Sequence, residues 1–181
     1  INGRLVAEIR ALGGRARGLA PGARVIVAAA HAQAKRLGFV GTVKAVRTEP
    51  IRSVFIQHAI PVISPIGRGR GGQLYNINAD DVASEVAARL GAEKLVLFTN
   101  VRGILRQGRD PDSLISTLTG AHAARLLARG VIAGGMIPKV RACVRALARG
   151  VKKTHIIDAG IPHAMLLEIF THKGIGTQIT R

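Results

Sequence analysis

Short apolar strand patterns alternating with amphipathic helix patterns predict an α/β protein. The expected form is a three-layer αβα sandwich with a mostly parallel central sheet, covered on both faces. Three stretches carry this expectation. Residues 74–105 read in turn as loop, helix, strand and turn. Upstream, residues 39–46 and 60–66 read as strands, the second buried, on either side of a helix opened by Pro50 and running to His58. Downstream, residues 137–149, 155–158, 163–170 and 177–180 read as helix, strand, helix and strand.

The central stretch is the most explicit. Val82, Val86 and Leu90 recur at four-residue spacing with Ala79, Ala83 and Ala87 beside them, so one helical face is buried. Gly91 stops that helix, and residues 94–98 follow as an apolar strand. The strand runs into Thr99-Asn100-Val101-Arg102-Gly103, and strand ends of this kind are where open α/β sheets hold ligands.

The remaining elements follow in order. Asn2 is placed to cap a first helix with Leu5, Ile9 and Leu12 inward, ended by Gly13-Gly14. Residues 15–19 read as a strand and Pro21-Gly22 as a turn. Val25-Ile26-Val27 reads as a strand, and residues 28–35 as a helix. Gly67-Arg68-Gly69-Arg70-Gly71-Gly72 could be a phosphate cradle or an RNA-binding tract. Short strands flank it, so a hairpin loop is the better reading. Asp110-Pro111-Asp112 is a turn, residues 121–129 a helix and 130–135 a loop. No repeat or linker interrupts the chain, so residues 1–181 are read as one domain.

Composition narrows the function classes. There is one cysteine, Cys143, on the apolar face made with Val140, Val144 and Leu147, and it reads as a small core residue. The six histidines show no ligand spacing, so no metal site is expected. No run of about eighteen apolar residues exists, so no membrane span is expected. The net charge of +17 predicts attraction to polyanions. Arg141, Arg145 and Arg149 recur every four residues opposite the core face, as a solvated stripe would, and aromatics make only 3% of the chain. Only weak, nonspecific nucleic-acid binding is therefore expected.

Four ordered motifs carry a resemblance. They are Tyr75-Asn76-Ile77-Asn78-Ala79-Asp80, the Leu90-Gly91-Ala92 step into the turn at Asn100, Gly134-Gly135-Met136-Ile137-Pro138-Lys139, and a C-terminal series. That series is Ile156-Ile157-Asp158, Pro162-His163-Ala164-Met165-Leu166-Leu167-Glu168 and Gly174-Ile175-Gly176-Thr177. From about residue 37 to 180 the chain resembles the acetylglutamate kinases of the amino-acid kinase family. The resemblance implies an amino-acid kinase or carbamate kinase-like fold lacking its N-terminal part. It implies ATP and Mg²⁺ as cofactors and N-acetyl-L-glutamate as substrate, in arginine biosynthesis. A dimer-based homo-oligomer, a PII-type regulator and a cytoplasmic setting, or a plastid or other organelle, accompany it.

The same resemblance suggests roles for residues. Lys139 would steady the phosphoryl group in transit, and from the residues alone it could equally be a surface lysine. Asp80 would organise catalytic lysines, although a carboxylate in a first helical turn is favourable by itself. Asn76 would hydrogen-bond the substrate, with Asn78 as a cap or supporting partner; alone, both read as turn residues. The nucleotide would lie against Asn100, Val101, Arg102, Gly103, Ile104, Leu105, Val131, Ile132, Ala133 and Met136. Asn100 stands where the family usually has aspartate, which puts nucleotide preference in question.

Two departures matter. The family's N-terminal lysine, Gly-Gly loop and substrate-gripping arginine would align before Ile1, so the chain is read as holding the nucleotide half and part of the substrate half. His172-Lys173 precedes Gly174, where the family usually has an acid that pairs with inhibitory arginine. Loss of that inhibition is expected, unless Glu168 or backbone carbonyls bind arginine regardless. Two rivals stay open: the arginine-binding kinase-like domain of an acetylglutamate synthase, and a catalytically silent basic module of an RNA-containing assembly.

Overall fold

The computed structural model describes residues 1–107, 110–171 and 174–181. Lys173 and His172, on which the arginine expectation turns, lie outside the described residues. The chain divides into two compact units, Ile1–Arg89 and Leu90–Arg181.

The first unit opens with α1 (Asn2–Ala11) and β1 (Ala16–Leu19). Ile1 rather than Asn2 is the N-cap, and Asn2 instead donates its amide to the Val62 carbonyl at 2.7 Å. Val6 is the buried residue of α1, Asn2 and Ile9 beside it are half-buried, and Leu12 is 89% exposed. The expected Leu5–Ile9–Leu12 stripe is thus displaced, because the tertiary bond to Val62 fixes the rotation of the helix.

Next come β2 (Ile26–Ala30), the short α2 (Ala34–Leu37), β3 (Gly41–Val46) and α3 (Glu49–Ile56). Ala28, Ala29 and Ala30 are extended, not helical as expected: alanine's helix propensity yields to pairing with β3. The expected buried strand over residues 60–66 is two strands, β4 (Ile60–Ile63) and β5 (Ile66–Arg68), and Ile60 is 53% exposed. Pro65 separates them and cannot donate to a ladder. β5 and β6 (Leu74–Asn76) form the expected hairpin, with Gly71 and Gly72 at positive φ in its loop. The pairings are β1 with β4 in parallel, and the order β3-β2-β5-β6, in which β2 and β5 are parallel. α4 (Ala79–Leu90) then begins, buries Val82, Ser84 and Ala87, and crosses the boundary of the units in its last turn.

The second unit holds β7 (Lys94–Thr99), β8 (Thr117–Thr119), α5 (Gly120–Ala128), α6 (Met136–Ala148), β9 (Lys153–Asp158), α7 (Ala164–Phe170) and β10 (Thr177–Thr180). Its sheet order is β7-β9-β10-β8, parallel except for β9 against β10. α5 and α6 pack on each other and on this sheet, and α7 packs on β9. Cys143 is fully buried, as its helical spacing implied. Of the basic stripe, Arg141 and Arg149 are exposed and Arg145 is half-buried. No helix among the described residues is long and apolar enough to cross a membrane.

At the exposed start of β7, Glu93 Oε1 lies 2.7 Å from Lys152 Nζ. The hydrogen bond from Lys152, and then its charge, hold the Glu93 carboxyl below its ordinary value. A lowered carboxyl contributes stability at higher pH that is lost as pH falls through the lowered value. Lys152→Met is expected to return the Glu93 titration toward the ordinary range, as read by carbon-13 NMR.

Candidate functional site

The second unit carries a cleft of about 460 Å³. It lies where the parallel strands β7 and β9 end, and its walls are residues 101–105, residues 131–133, Met136 and Asp158. This is the position at which open α/β sheets bind ligands. Every residue expected to contact nucleotide lines it, apart from Asn100. Asn100 is exposed and borders a neighbouring depression that shares Asp158 with the cleft. The lining is mostly apolar, with Arg102 and Asp158 as its charged members, and the volume suits a nucleoside-sized ligand.

Backbone chemistry holds the wall in place. Gly103 has φ +152°, and a Cβ there would run into Thr177 Oγ1 and come within 3.0 Å of Leu114 Cδ1. Thr177 is fully buried; its hydroxyl accepts from the Ile104 amide at 2.8 Å and donates to the Ile115 carbonyl at 2.8 Å. Sequence reasoning placed Thr177 only as part of a motif. Its signal was a hydroxyl residue opening an apolar strand, too common to single out. Thr177→Val is expected to cost about 1–3 kcal/mol by stranding buried backbone groups, while Thr177→Ser retains most of the stability. Urea unfolding of the two variants checks this.

Asp158 was also missed as a cleft residue. Its Oδ1 accepts from the Gly160 amide at 2.8 Å, which shapes the turn leaving β9. It supplies a carboxylate at the strand edge where Asn100 supplies only an amide.

Lys139 lies in α6, three residues on from Met136 and therefore on the next turn of the same face. Gly135 is the N-cap, so Pro138 is the third helical residue and falls among positions whose amides have no helical acceptor. Lys139 is half-buried. Gly134 has φ +56°, whereas a Cβ at Gly135 would meet nothing within 4 Å. The protein's own packing therefore does not require a glycine at 135, and the space beside it is open.

Asn76, Asn78 and Asp80 belong to the first unit. Asn78 caps α4: its Oδ1 accepts from the Asp80 amide at 2.9 Å and the Asp81 amide at 3.3 Å. Asp80 and Asp81 follow in the first turn, where their charge suits the helix dipole. Asn76 ends β6 with an exposed side chain, and its amide is held by the Phe39 carbonyl at 2.8 Å. Among the described residues no group of three or more His, Cys, Asp or Glu is placed to hold a metal.

Behind the cleft, His155 and Glu168 form a buried pair, Nδ1 to Oε1 at 2.8 Å. Glu168 Oε2 also accepts from the Ile175 amide at 2.7 Å and the Gly176 amide at 3.1 Å. Both carboxylate oxygens are thus engaged inside the protein.

The model of the amino acid kinase family matches residues 1–158. The chain belongs to the amino acid kinase family. Among curated relatives of this family member, an acetylglutamate kinase of Synechococcus is 49% identical over 180 residues, covering 99% of this chain and 60% of the relative. One from Moorella thermoacetica is 50% identical over 189 residues, covering 99% and 64%. The chain thus spans somewhat under two thirds of these relatives. Among solved structures it is similar to N-acetylglutamate synthase from Neisseria gonorrhoeae, with TM-score 0.85 and 25% identity over 99% of this chain and 41% of that one. Carbamate kinase from Giardia lamblia shares the fold, with TM-score 0.69 and 16% identity over 99% of this chain and 67% of that one.

Proposed function

We propose that this chain carries the nucleotide-binding part, and part of the acceptor site, of an acetylglutamate kinase. The reaction is in-line transfer of the γ-phosphoryl group of ATP to the side-chain carboxylate of N-acetyl-L-glutamate, giving an acyl phosphate and ADP. The observation that carries this reading is the cleft at the ends of β7 and β9, with Lys139 one turn into the helix that lines it. The relatives' names support the same reading.

Phosphoryl transfer asks mainly for positioning and charge neutralisation. The apolar walls at 101–105 and 131–133 hold the base and ribose. The Lys139 ammonium offsets charge on the phosphoryl oxygens as the bond to the leaving ADP breaks. Asn76 holds the acceptor's acetylamino group, Asn78 caps α4, and Asp80 organises the catalytic lysines. Among the described residues Asp158 is the one carboxylate lining the cleft, which would fit Mg²⁺ that takes most of its ligands from phosphate and water. When bound, Mg²⁺ would supply charge neutralisation for the phosphoryl group, with Asp158 as the residue placed to help hold it.

The deciding experiment uses protein expressed from its whole reading frame. Acyl phosphate formed with ATP and N-acetyl-L-glutamate is trapped by hydroxylamine. Trapped product supports the kinase; its absence, with the protein folded and nucleotide bound, sinks the reading in favour of a silent domain.

Regulation follows from the same sequence. With Lys173 before Gly174 and both Glu168 oxygens engaged internally, no carboxylate of this segment is offered to a guanidinium. Losing a charge-assisted pair costs about 1.5–3 kcal/mol, or roughly one to two decades of affinity. Calorimetric titration with L-arginine is expected to show no micromolar site, and a micromolar dissociation constant would prove this wrong. A dimer-based assembly, a PII-type regulator and a cytoplasmic or organellar setting belong to the same proposal.

A further inference from the structure

The first unit holds a second cleft, of about 620 Å³, unconnected with the reading above. β2 and β5 share one register position, Val27 with Arg68, and the cleft is lined by β2 and by the β5–β6 hairpin. Its floor is residues 26–30, mostly alanine and valine, and Tyr75 forms part of its wall. Among the described residues Arg24, Lys44, Arg47, Arg68 and Arg70 line it, and no carboxylate does. Lysine and arginine make 27 of 181 residues, so twelve lining residues would hold about two by chance, where five are found.

Arg68 gives the cleft a specific demand. Its Nε is buried and has no hydrogen-bond partner among the described residues. A guanidinium N–H withdrawn from water without an acceptor is costly, and an anion satisfies it in charge-assisted fork geometry. Arg24 adds a second feature, since it holds φ +51°, an uncommon conformation for a residue with a side chain.

Five cations around an apolar floor ask for several negative charges on a compact, partly apolar molecule. A single carboxylate brings too little charge. A nucleic-acid strand asks for a groove with successive stacking rings, and among the described residues Tyr75 is the only aromatic one lining this cleft. We propose that this cleft binds a small organic polyphosphate, its phosphates on the arginines and its organic part on the alanine floor and the Tyr75 ring. The proposal does not depend on the kinase reading, because none of the residues it uses is among those assigned to nucleotide or acceptor.

The test is calorimetric titration of the full chain with inorganic tripolyphosphate at about 150 mM salt. Arg68→Gln and Arg47→Gln are each expected to weaken one binding site about ten- to a hundredfold. Arg52→Gln removes the same charge from an exposed position of α3 outside the cleft and is expected to change it less than about twofold. Thermal melts confirm that the variants fold; Arg47 is exposed, so its variant remains informative even where Arg68→Gln does not fold. Equal weakening by all three variants would show a diffuse charge effect and overturn the proposal. Binding unchanged by Arg47→Gln and Arg68→Gln, or no binding at this salt, would also overturn it. So would a single-stranded RNA that displaces tripolyphosphate and binds more tightly, which would assign the surface to nucleic acid.

Discussion

Glu168→Ala is expected to destabilise the second unit by about 3–5 kcal/mol, enough to abolish cooperative unfolding in a marginal domain. Glu168 is 8% exposed and accepts three hydrogen bonds, from His155 Nδ1 and from the amides of Ile175 and Gly176. An ionised carboxylate only accepts, so Nδ1 carries the proton of the His155 contact. With Nδ1 protonated, a neutral ring leaves only a lone pair at Nε2, which is buried without a partner among the described residues. Alanine would strand all three donors at once. Glu168→Gln keeps the shape and acceptors for the amides, and its expected cost is smaller, about 1–3 kcal/mol. Urea denaturation of the two variants is the measurement. Equal costs for alanine and glutamine would mean that the carboxylate charge, which both variants remove, rather than shape or the amide bonds, carries the effect.

Lys139→Ala is expected to lower the turnover of the active protein by roughly 10²–10³, comparable to losing one donor that stabilises transition-state charge. The same change should leave the protein folded, since alanine suits a helix, and urea unfolding reads its cost. This opposite pair of readouts separates a catalytic lysine from one kept for structure. Turnover unchanged within a factor of a few would remove Lys139 from the chemistry. A collapse of stability would make it a structural residue.

Salt dependence gives a third contrast. Scattered arginine with few aromatics should give nucleic-acid binding that fades steeply between about 50 and 200 mM salt. Tight RNA binding that persists at physiological salt would favour the assembly-module reading.

Sequence pattern revealed the parts of the fold in which local preference and tertiary demand agree. α4 was legible because its apolar spacing, its Asn78 cap and its Gly91 stop all point the same way. The walls of the second-unit cleft were legible because a strand end and a glycine turn mark such places. The extended run Ala28–Ala30 was not, since alanine by itself favours a helix and only the neighbouring strand makes it extended. β8 escaped notice because three residues, Thr117–Thr119, are too few to show a period. The Thr177 bridge joins residues far apart in the chain, and the His155–Glu168 pair joins a strand to the helix after it, so no local pattern announces either. The basic cleft was hidden for a different reason: in a chain this rich in arginine, a charge count cannot say which guanidinium groups the fold will gather.

The position of β10 bears on the order of assembly. This strand comes latest in the sequence yet lies inside its sheet, between β9 and β8. Until it emerges during synthesis, β8 has no ladder and the Ile104 amide lacks its hydroxyl. A nascent chain stalled before Thr177 would therefore hold the residues of the cleft without the strand that locks its wall. The closing contacts span 62 to 73 residues, so loop closure rather than local structure should limit the rate at which this unit folds.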